Sequence, residues 1–172
     1  PLTGLPNRVL LFERIQRALD GLRSLGTRHS VALLFVDLDH FKAVNDTMGH
    51  ELGDKILVTV ADRIGSVVRP GDTVARFGGD EFVVLCERLD HPEDAVVIAH
   101  RIDVALHEPM GIDEREMQLG VSIGNEEIAT VDDVVLRAPA TLLPPGLGAR
   151  HQVLAFTDLQ PQPVPHVLLH RD

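Results

Sequence analysis

Two pairs of acidic residues in this chain could bind a divalent metal ion. Asp80 and Glu81 directly follow two glycines, and Asp37 and Asp39 come at the end of an apolar run. Mg²⁺ takes oxygen ligands and is commonly held by one or two carboxylates together with the phosphates of a substrate. The acids therefore suggest metal-assisted chemistry on phosphates. For the Asp80 pair taken alone, a solvated hairpin turn is an equally good interpretation, because a two-glycine turn is a weak signal.

A buried strand is predicted to deliver the first pair of acids. Residues 31–36 are apolar without interruption, which is typical of a strand covered on both faces. If the strand continued beyond this run, alternation would point Asp37 and Asp39 to the same side. Both carboxylates would then face one cleft at the end of the strand.

A hairpin is predicted to deliver the second pair. Residues 73–77 and residues 82–85 are two extended segments separated by Gly78-Gly79 and the acids. Paired glycines suit a tight turn, because glycine reaches positive φ at no steric cost. Asp80 and Glu81 are therefore expected at the tip of a β-hairpin, where the missing glycine side chains would let a ligand approach the backbone.

The remaining residues predict helices and strands in alternation. Asn7 is placed to cap the first helix, and Gly26 to end it. The spacing of the apolar residues predicts helices over residues 8–25, 51–68 and 92–106. A short helix is expected over residues 41–45, the buried strand spans residues 30–36, and a further strand is expected over residues 116–123. This order is typical of an α+β domain built around one sheet.

Composition excludes several classes of protein. The 172 residues are 44% hydrophobic and 24% charged, as expected for a globular domain. The net charge of −10 and the lack of a basic cluster argue against a nucleic-acid surface. No apolar run approaches the ~20 residues of a membrane span, and the first residues given do not have a signal-peptide pattern. The single cysteine, Cys86, excludes an internal disulfide and fits a reducing compartment. We therefore expect no nucleic-acid partner, no membrane contact by this segment and a cytoplasmic location, either free or as part of a membrane-anchored protein.

Residues 76–82, Arg-Phe-Gly-Gly-Asp-Glu-Phe, resemble the signature of the GGDEF family, the diguanylate cyclases. Further family segments match in order, namely residues 2–8, 37–42 and 45–50 and the pair Gly53-Asp54. Several motifs in the right order over residues 1–124 make this resemblance specific. The Asp that precedes Pro1 in the family pattern is absent here.

The resemblance implies both a fold and a reaction. The fold would be a ferredoxin-like palm of the nucleotide-cyclase type, with a central mixed, mainly antiparallel sheet flanked by helices. The reaction would condense two GTP molecules into cyclic di-GMP, releasing two pyrophosphates, with Mg²⁺ or Mn²⁺ as cofactor. Each active site of this family holds one GTP, so catalysis would need a homodimer, usually brought together by an upstream sensory or dimerising domain.

The resemblance also implies roles for the acids. Asp37 and Asp80 match metal ligands of the family, with the carbonyl of Leu38 as a third. Glu81 matches a residue that assists metal binding or deprotonates the 3′-hydroxyl. Asp80 and Glu81 are thus the implied catalytic residues.

Substrate contacts are implied for the residues around these acids. Asn45 and Asp54 match the residues that bind guanine, whose N1 and N2 hydrogens a carboxylate can accept. The triphosphate contacts would come from Lys42 and from the backbone amides of His40 and Phe41, with Gly78 and Gly79 lining the site. Taken singly, Lys42 could be a solvated helix charge, Asn45 a helix-ending residue and Asp54 an acid favoured by the helix dipole.

An inhibitory site is implied at the turn before the hairpin. Arg69 and Asp72 form an Arg-x-x-Asp pattern, and five residues separate Asp72 from Gly78. It matches the family's product-inhibition site, where arginine grips the guanine and phosphate of cyclic di-GMP. Arg101 aligns with a second arginine of that site. The alternative is a local ion pair in a turn.

The C-terminal part departs from the family pattern. We expect the domain to span residues 1–158, with residues 138–150 atypical, and residues 159–172 to form a tail or linker. Prolines at 139, 144 and 145 interrupt the expected last helix, and its lysine and tyrosine are missing. This leaves two hypotheses open: an active cyclase, and a catalytically weak or inactive domain that binds GTP or cyclic di-GMP as a signalling module.

Overall fold

The computed structural model describes residues 2–25, 29–91 and 93–128. The predicted last helix, the atypical residues 138–150, the domain end at 158 and the tail lie outside these residues. The elements in chain order are α1 (Arg8–Leu25), β1 (Ser30–Leu38), α2 (Phe41–Met48), α3 (His50–Val67), β2 (Thr73–Gly78), β3 (Glu81–Leu89), α4 (Glu93–His107), β4 (Met110–Ile112), β5 (Arg115–Met117) and β6 (Val121–Ile128).

The central sheet has four strands in the order β2-β3-β1-β6, and each neighbouring pair is antiparallel. β4 and β5 form a separate two-stranded hairpin. Helices cover the sheet, so the predicted α+β fold with a mainly antiparallel sheet is confirmed. None of the helices in the described part of the chain is long and apolar enough to cross a membrane.

The β1 strand is buried on both faces, as its continuous apolar sequence predicted. Leu34 and Val36 point into the core beneath α3 and α4, whereas Val31 and Leu33 join the smaller core beneath α1. Successive side chains of a strand point to opposite faces, so one apolar run supplies both cores. The acidic end of β1 is thereby fixed between two packed layers.

The helix predictions hold to within a few residues. The bounds of α1 are those predicted, and Asn7 caps it, because its Oδ1 accepts the Leu10 N–H at 3.1 Å. α3 and α4 are each displaced by one residue, and α2 runs on to Met48.

The strand predicted over residues 116–123 is wrong. Two strands, β5 and β6, occupy this region, and residues 118–120 interrupt them. Leu119 is buried in the core and the Gly120 carbonyl accepts the Asp39 N–H at 2.9 Å, so packing and a turn contact break the strand here. The strand β4, which has only three residues, was not predicted from the sequence.

The hairpin is present, but its turn is shifted by one residue. Gly78 still belongs to β2 and pairs with Glu81, so Gly79 and Asp80 make the turn. Gly79 has φ 47°, whereas Gly78 is not in the left-handed region. The register of the β2–β3 pair shifts between Arg76 and Gly78, as it does where a β-bulge adds an unpaired residue to one strand. This register shift moves the turn.

Candidate active site

Pairing between β1 and β3 brings the two pairs of acids together. Asp37 lies directly opposite Glu81 in the antiparallel register, and Asp80 occupies the turn just before β3. Directly opposed residues in such a pair have Cβ atoms about 4.5–5.5 Å apart. Acids 43 positions apart in sequence, Asp37 and Asp80, thus come to the same end of the sheet.

Burial and neighbouring acids raise the pKa values of Asp37 and Glu81. Partial burial raises the pKa of Asp37 above its ordinary value, and the charges of Asp80 and Asp39 raise it further. The pKa of Glu81 is raised by burial first, then by the charges of Asp37 and Asp80. This end of the sheet is therefore a site of concentrated negative charge that a cation would relieve.

The donor set fits a magnesium or manganese ion that shares its ligands with a substrate. Within the described ranges, no three His, Cys, Asp or Glu side chains are placed to hold a metal by themselves. Mg²⁺ does not need such a cage, because it is commonly bound by one or two carboxylates, several waters and substrate phosphates. Asp37, Asp80 and Glu81 would supply the carboxylates for such an ion, and Leu38, between Asp37 and the turn, would add a backbone carbonyl.

Asp39 has a role that the sequence analysis did not assign. It lies in the turn after β1, where its Oδ1 accepts the Ser122 hydroxyl at 2.8 Å and its N–H donates to the Gly120 carbonyl at 2.9 Å. A Cβ at Gly120 would lie 2.7 Å from Asp39 Oδ2. Asp39 therefore links the turn after β1 to β6 by hydrogen bonds. No feature of the sequence near Asp39 predicts this contact.

The turn held by Asp39 leads into the predicted phosphate-binding segment. His40 has φ 59° in the left-handed region and is exposed, and α2 begins at the buried Phe41. The exposed Lys42 follows in the first turn of α2. The structure thus places His40, Phe41 and Lys42 at the same edge as the acids, immediately after β1.

The predicted guanine contacts come from two adjoining helices. Asn45 is half-buried on α2, and the exposed Asp54 lies in the first turns of α3. Between them is the buried Gly53, where an added Cβ would lie 1.9 Å from Asn45 Oδ1 and 3.3 Å from Phe41 Cζ. Asn45 therefore packs directly on the backbone of α3, next to Asp54.

Arg76 braces the glycine turn. Its Nε and Nη2 both donate to the Gly79 carbonyl, at 3.0 and 2.7 Å. Its backbone N–H donates to the Pro6 carbonyl at 3.0 Å, which ties the N-terminal segment to the edge strand β2. The guanidinium thus fixes the backbone one residue before Asp80.

The predicted inhibitory residues are only partly brought together. Asp72 has a side chain 2% exposed, and its two oxygens accept the backbone N–H groups of Arg69 and Glu87 at 3.3 and 3.1 Å. The Arg69 guanidinium is 41% exposed, with Nε 3.9 Å from Asp72 Oδ2. Asp72 therefore holds the turn, as the local ion-pair alternative expected, and Arg69 stays accessible. Arg101 lines a groove of about 420 Å³ between α3 and α4, whose lining does not include Arg69 or Asp72.

A family model described as "Diguanylate cyclase, GGDEF domain" matches residues 1–139. The bifunctional diguanylate cyclase/cyclic di-GMP phosphodiesterase MucR of Pseudomonas aeruginosa is 46% identical over 123 residues, covering 72% of this chain and 18% of MucR. Diguanylate cyclase TpbB of the same species is 42% identical over 113 residues, covering 66% of this chain and 26% of TpbB. The chain thus matches between 18% and 26% of the length of these relatives.

Solved structures of similar domains agree with this match. The GGDEF domain of TpbB from Pseudomonas aeruginosa has a TM-score of 0.70 and 38% identity, covering 76% of this chain and 83% of that chain. The coiled coil and GGDEF domain of DgcB from Caulobacter crescentus, in complex with c-di-GMP, has a TM-score of 0.69 and 30% identity, covering 82% and 76%.

Proposed function

The chain belongs to the GGDEF family, the diguanylate cyclases, and from this premise we propose that it condenses two GTP molecules into cyclic di-GMP and two pyrophosphates. The observation that carries the proposal is the pairing of Asp37 with Glu81 beside Asp80. It gathers acids from two distant motifs at one end of the sheet, where their mutual repulsion favours a bound cation.

Magnesium or manganese would bind to Asp37, Asp80 and the Leu38 carbonyl, with Glu81 assisting. Such an ion would neutralise phosphate charge and lower the pKa of a coordinated hydroxyl. Glu81 suits the role of proton acceptor for the 3′-hydroxyl, because its raised pKa makes its carboxylate a stronger base than an ordinary glutamate. Asp80 and Glu81 are the proposed catalytic residues.

The substrate would lie across the segment that follows β1. We place the guanine at Asn45 and Asp54, because Asn45 packs on Gly53, the residue that precedes Asp54 in α3. The triphosphate would contact Lys42 and the amides of His40 and Phe41. Gly78 and Gly79, both exposed, would let it pass close to the hairpin backbone.

Regulation by product is a further part of the proposal. Cyclic di-GMP would bind through the accessible Arg69, with Arg101 contributing from α4. Asp72 would act mainly by shaping the turn, since its carboxylate already accepts two backbone N–H groups. The whole protein would work in the cytoplasm as a homodimer, assembled by an upstream sensory or dimerising domain.

Incubation with GTP and Mg²⁺, followed by mass detection of cyclic di-GMP, tests the activity. We expect product from the wild type and a loss of about 100-fold or more in Asp80→Ala, since metal binding and charge neutralisation carry most phosphoryl-transfer catalysis. Asp62→Ala is the matched control, because Asp62 is an exposed acid on α3. The control should keep full activity.

The alternative hypothesis, a binding module without catalysis, predicts a different result in the same experiment. No product would form at high protein concentration, while calorimetry would still detect binding of GTP or cyclic di-GMP. That combination would reject the cyclase activity of this chain.

A further inference from the structure

A charged cavity, open to solvent, lies between α1 and the end of the hairpin far from its turn. Its volume is about 310 Å³, and it is lined by Arg14, Arg17, Ala18, Gly71, Thr73 and Glu87. Glu87 is six residues beyond Glu81 along β3, a separation of about 20 Å. The cavity is therefore separate from the proposed metal site, and none of its lining residues takes part in the proposed reaction.

One arginine of the cavity is held in place by the sheet. Arg14 Nη1 donates to Thr73 Oγ1 at 2.9 Å, and Thr73 is itself only 3% exposed. Arg17 lies one helical turn further along α1 and is exposed. Arg17 Nε donates to the Glu13 carbonyl on its own helix at 3.4 Å. Two guanidinium groups thus line the same space, one bonded to the sheet and one on the exposed face of α1.

The cavity also contains a carboxylate. The pKa of Glu87 is raised above its ordinary value, mainly by burial. The charges of Arg88, Arg14 and Arg17 lower it, and the charge of Asp72 raises it, by smaller amounts. Glu87 is therefore close enough to both cavity arginines for their charges to act on it. A cavity with two arginines and no acid would suit any anion, whereas this acid would repel a bare phosphate.

A ligand that suits both groups carries phosphate at one end and paired N–H donors at the other. Guanine offers N1–H and N2–H side by side, which one carboxylate can accept together, and adenine has no such pair. Arginine binds phosphate through two parallel hydrogen bonds. A volume of about 310 Å³ is at the lower end of the range of ~300–1,000 Å³ for small-molecule sites, so a mononucleotide is the appropriate size.

We propose that this cavity binds a guanine mononucleotide, with Glu87 accepting the guanine N–H groups and Arg14 and Arg17 donating to the phosphate. Gly71 and Thr73 line the cavity on either side of Asp72, whose carboxylate accepts the Glu87 N–H at 3.1 Å. A bound nucleotide would therefore contact the turn that carries Arg69. The proposal does not depend on the cyclase activity, and either can fail without the other.

Calorimetric titration with GMP, AMP and inorganic phosphate, in EDTA to remove divalent metals, tests the proposal. The wild type should bind GMP at least about tenfold more tightly than AMP or phosphate, as expected for one well-placed two-point contact to a base. Arg17→Gln should weaken GMP binding by about tenfold, and Glu87→Gln should abolish the preference for GMP over AMP.

Two control variants distinguish this cavity from other sites. Arg115→Gln removes an exposed arginine on β5 and should leave GMP binding unchanged. Asp54→Ala removes the proposed guanine contact of the active site, so GMP binding that persists in this variant and is weakened by Arg17→Gln belongs to the cavity. Thermal melting would establish that each variant is folded, and Arg17, being exposed, is a safe position for substitution.

Three results would overturn the proposal. They are the absence of saturable GMP binding by the wild type, equal affinity for GMP and phosphate, and GMP binding that survives Arg17→Gln and Glu87→Gln but is lost in Asp54→Ala. The last result would assign the nucleotide to the active site alone.

Discussion

At the scale of single residues, Gly53 is where the α3 backbone meets the proposed guanine-binding side chain. Alanine usually stabilises a helix relative to glycine by about 1 kcal/mol. At this position its Cβ would lie 1.9 Å from Asn45 Oδ1 and 3.0 Å from Asn45 Cγ, so Asn45 must move. We expect Gly53→Ala to raise the KM for GTP by about tenfold and to cost about 1–3 kcal/mol of unfolding free energy by overpacking.

Gly65 provides a matched control on the same helix. It is exposed, and an added Cβ would meet nothing within 4 Å. Gly65→Ala should therefore raise the unfolding free energy by up to about 1 kcal/mol and leave the KM unchanged. Steady-state kinetics and urea unfolding measure both quantities, and an unchanged KM in Gly53→Ala would contradict the placement of guanine at Asn45.

The acid cluster should make the stability of the protein depend on pH and on metal. Asp37 and Glu81 hold their protons more tightly in the folded state, because burial and neighbouring acids raise their pKa values. Their contribution to stability is therefore complete below the unfolded pKa, about 4, and is lost as the pH rises through the raised values. At neutral pH the cluster opposes folding until a cation binds.

Asp80→Asn tests this cluster, because it removes one of the repelling charges without changing the size of the side chain. We expect its Tm at pH 7 to exceed that of the wild type by about 2 °C and the difference to vanish below about pH 4. Mg²⁺ should raise the Tm of the wild type more than that of the variant. Differential scanning fluorimetry with Asp62→Asn as control measures this, and a lower Tm for Asp80→Asn at pH 7 would refute the repulsion argument.

At the scale of elements, the positions of most helices and strands could be predicted from the spacing of apolar residues along the chain. The apolar spacing of α1, α3 and α4 fixed their positions because each buries one continuous stripe, and the run 31–36 located β1 because both its faces are covered. The three-residue strand β4 has no period to detect, and the turn after it uses Asp113 and Glu114 at positive φ rather than glycine.

Contacts between residues far apart in the sequence could not be predicted from such patterns. The spacing of the acids predicted that each pair lies at the end of a strand, but only the β1–β3 register places Asp37 opposite Glu81. Similarly, nothing local to Asp72 shows that its carboxylate is buried against the Glu87 N–H, and nothing local to Asp39 indicates its bond with Ser122. The candidate residues could be predicted from the sequence, whereas the strand pairing and hydrogen bonds that hold them in position could not.

The hairpin should depend on Arg76 for the position of its turn. Arg76→Lys keeps the positive charge but replaces two hydrogen bonds to the Gly79 carbonyl with at most one. We expect kcat to fall by about tenfold, with the Tm changed by less than about 2 °C, since misplacement of a positioned group costs rate more than stability. Steady-state kinetics and thermal melting of Arg76→Lys provide the measurement, with Arg115→Lys as the control. A fall in Tm large enough to account for the lost activity would indicate that Arg76 has a structural role instead.

At the scale of the whole molecule, the sheet gives each chain one cluster of acids. Asp37, Asp80 and Glu81 all lie at a single end of the β1–β3 pair. The proposed reaction joins two GTP molecules, each of which needs its own acids and its own guanine contacts. One chain supplies one such set among its described residues, so the proposed reaction would require two chains to meet face to face at this end of the sheet.

The activity per chain should therefore depend on protein concentration. Below the dissociation constant of the dimer, the rate per chain should rise in proportion to total protein, because the active species grows as the square of the monomer concentration. Fusion of a parallel two-stranded coiled coil to the N-terminus should remove this dependence by raising the effective concentration of the second chain to the millimolar range. The rate of cyclic di-GMP formation across about a hundredfold range of protein concentration, with light scattering in parallel, provides the measurement. A constant rate per chain from a protein that light scattering shows to be monomeric would exclude catalysis between two chains, while the Asp80→Ala result would still decide whether the acids are catalytic.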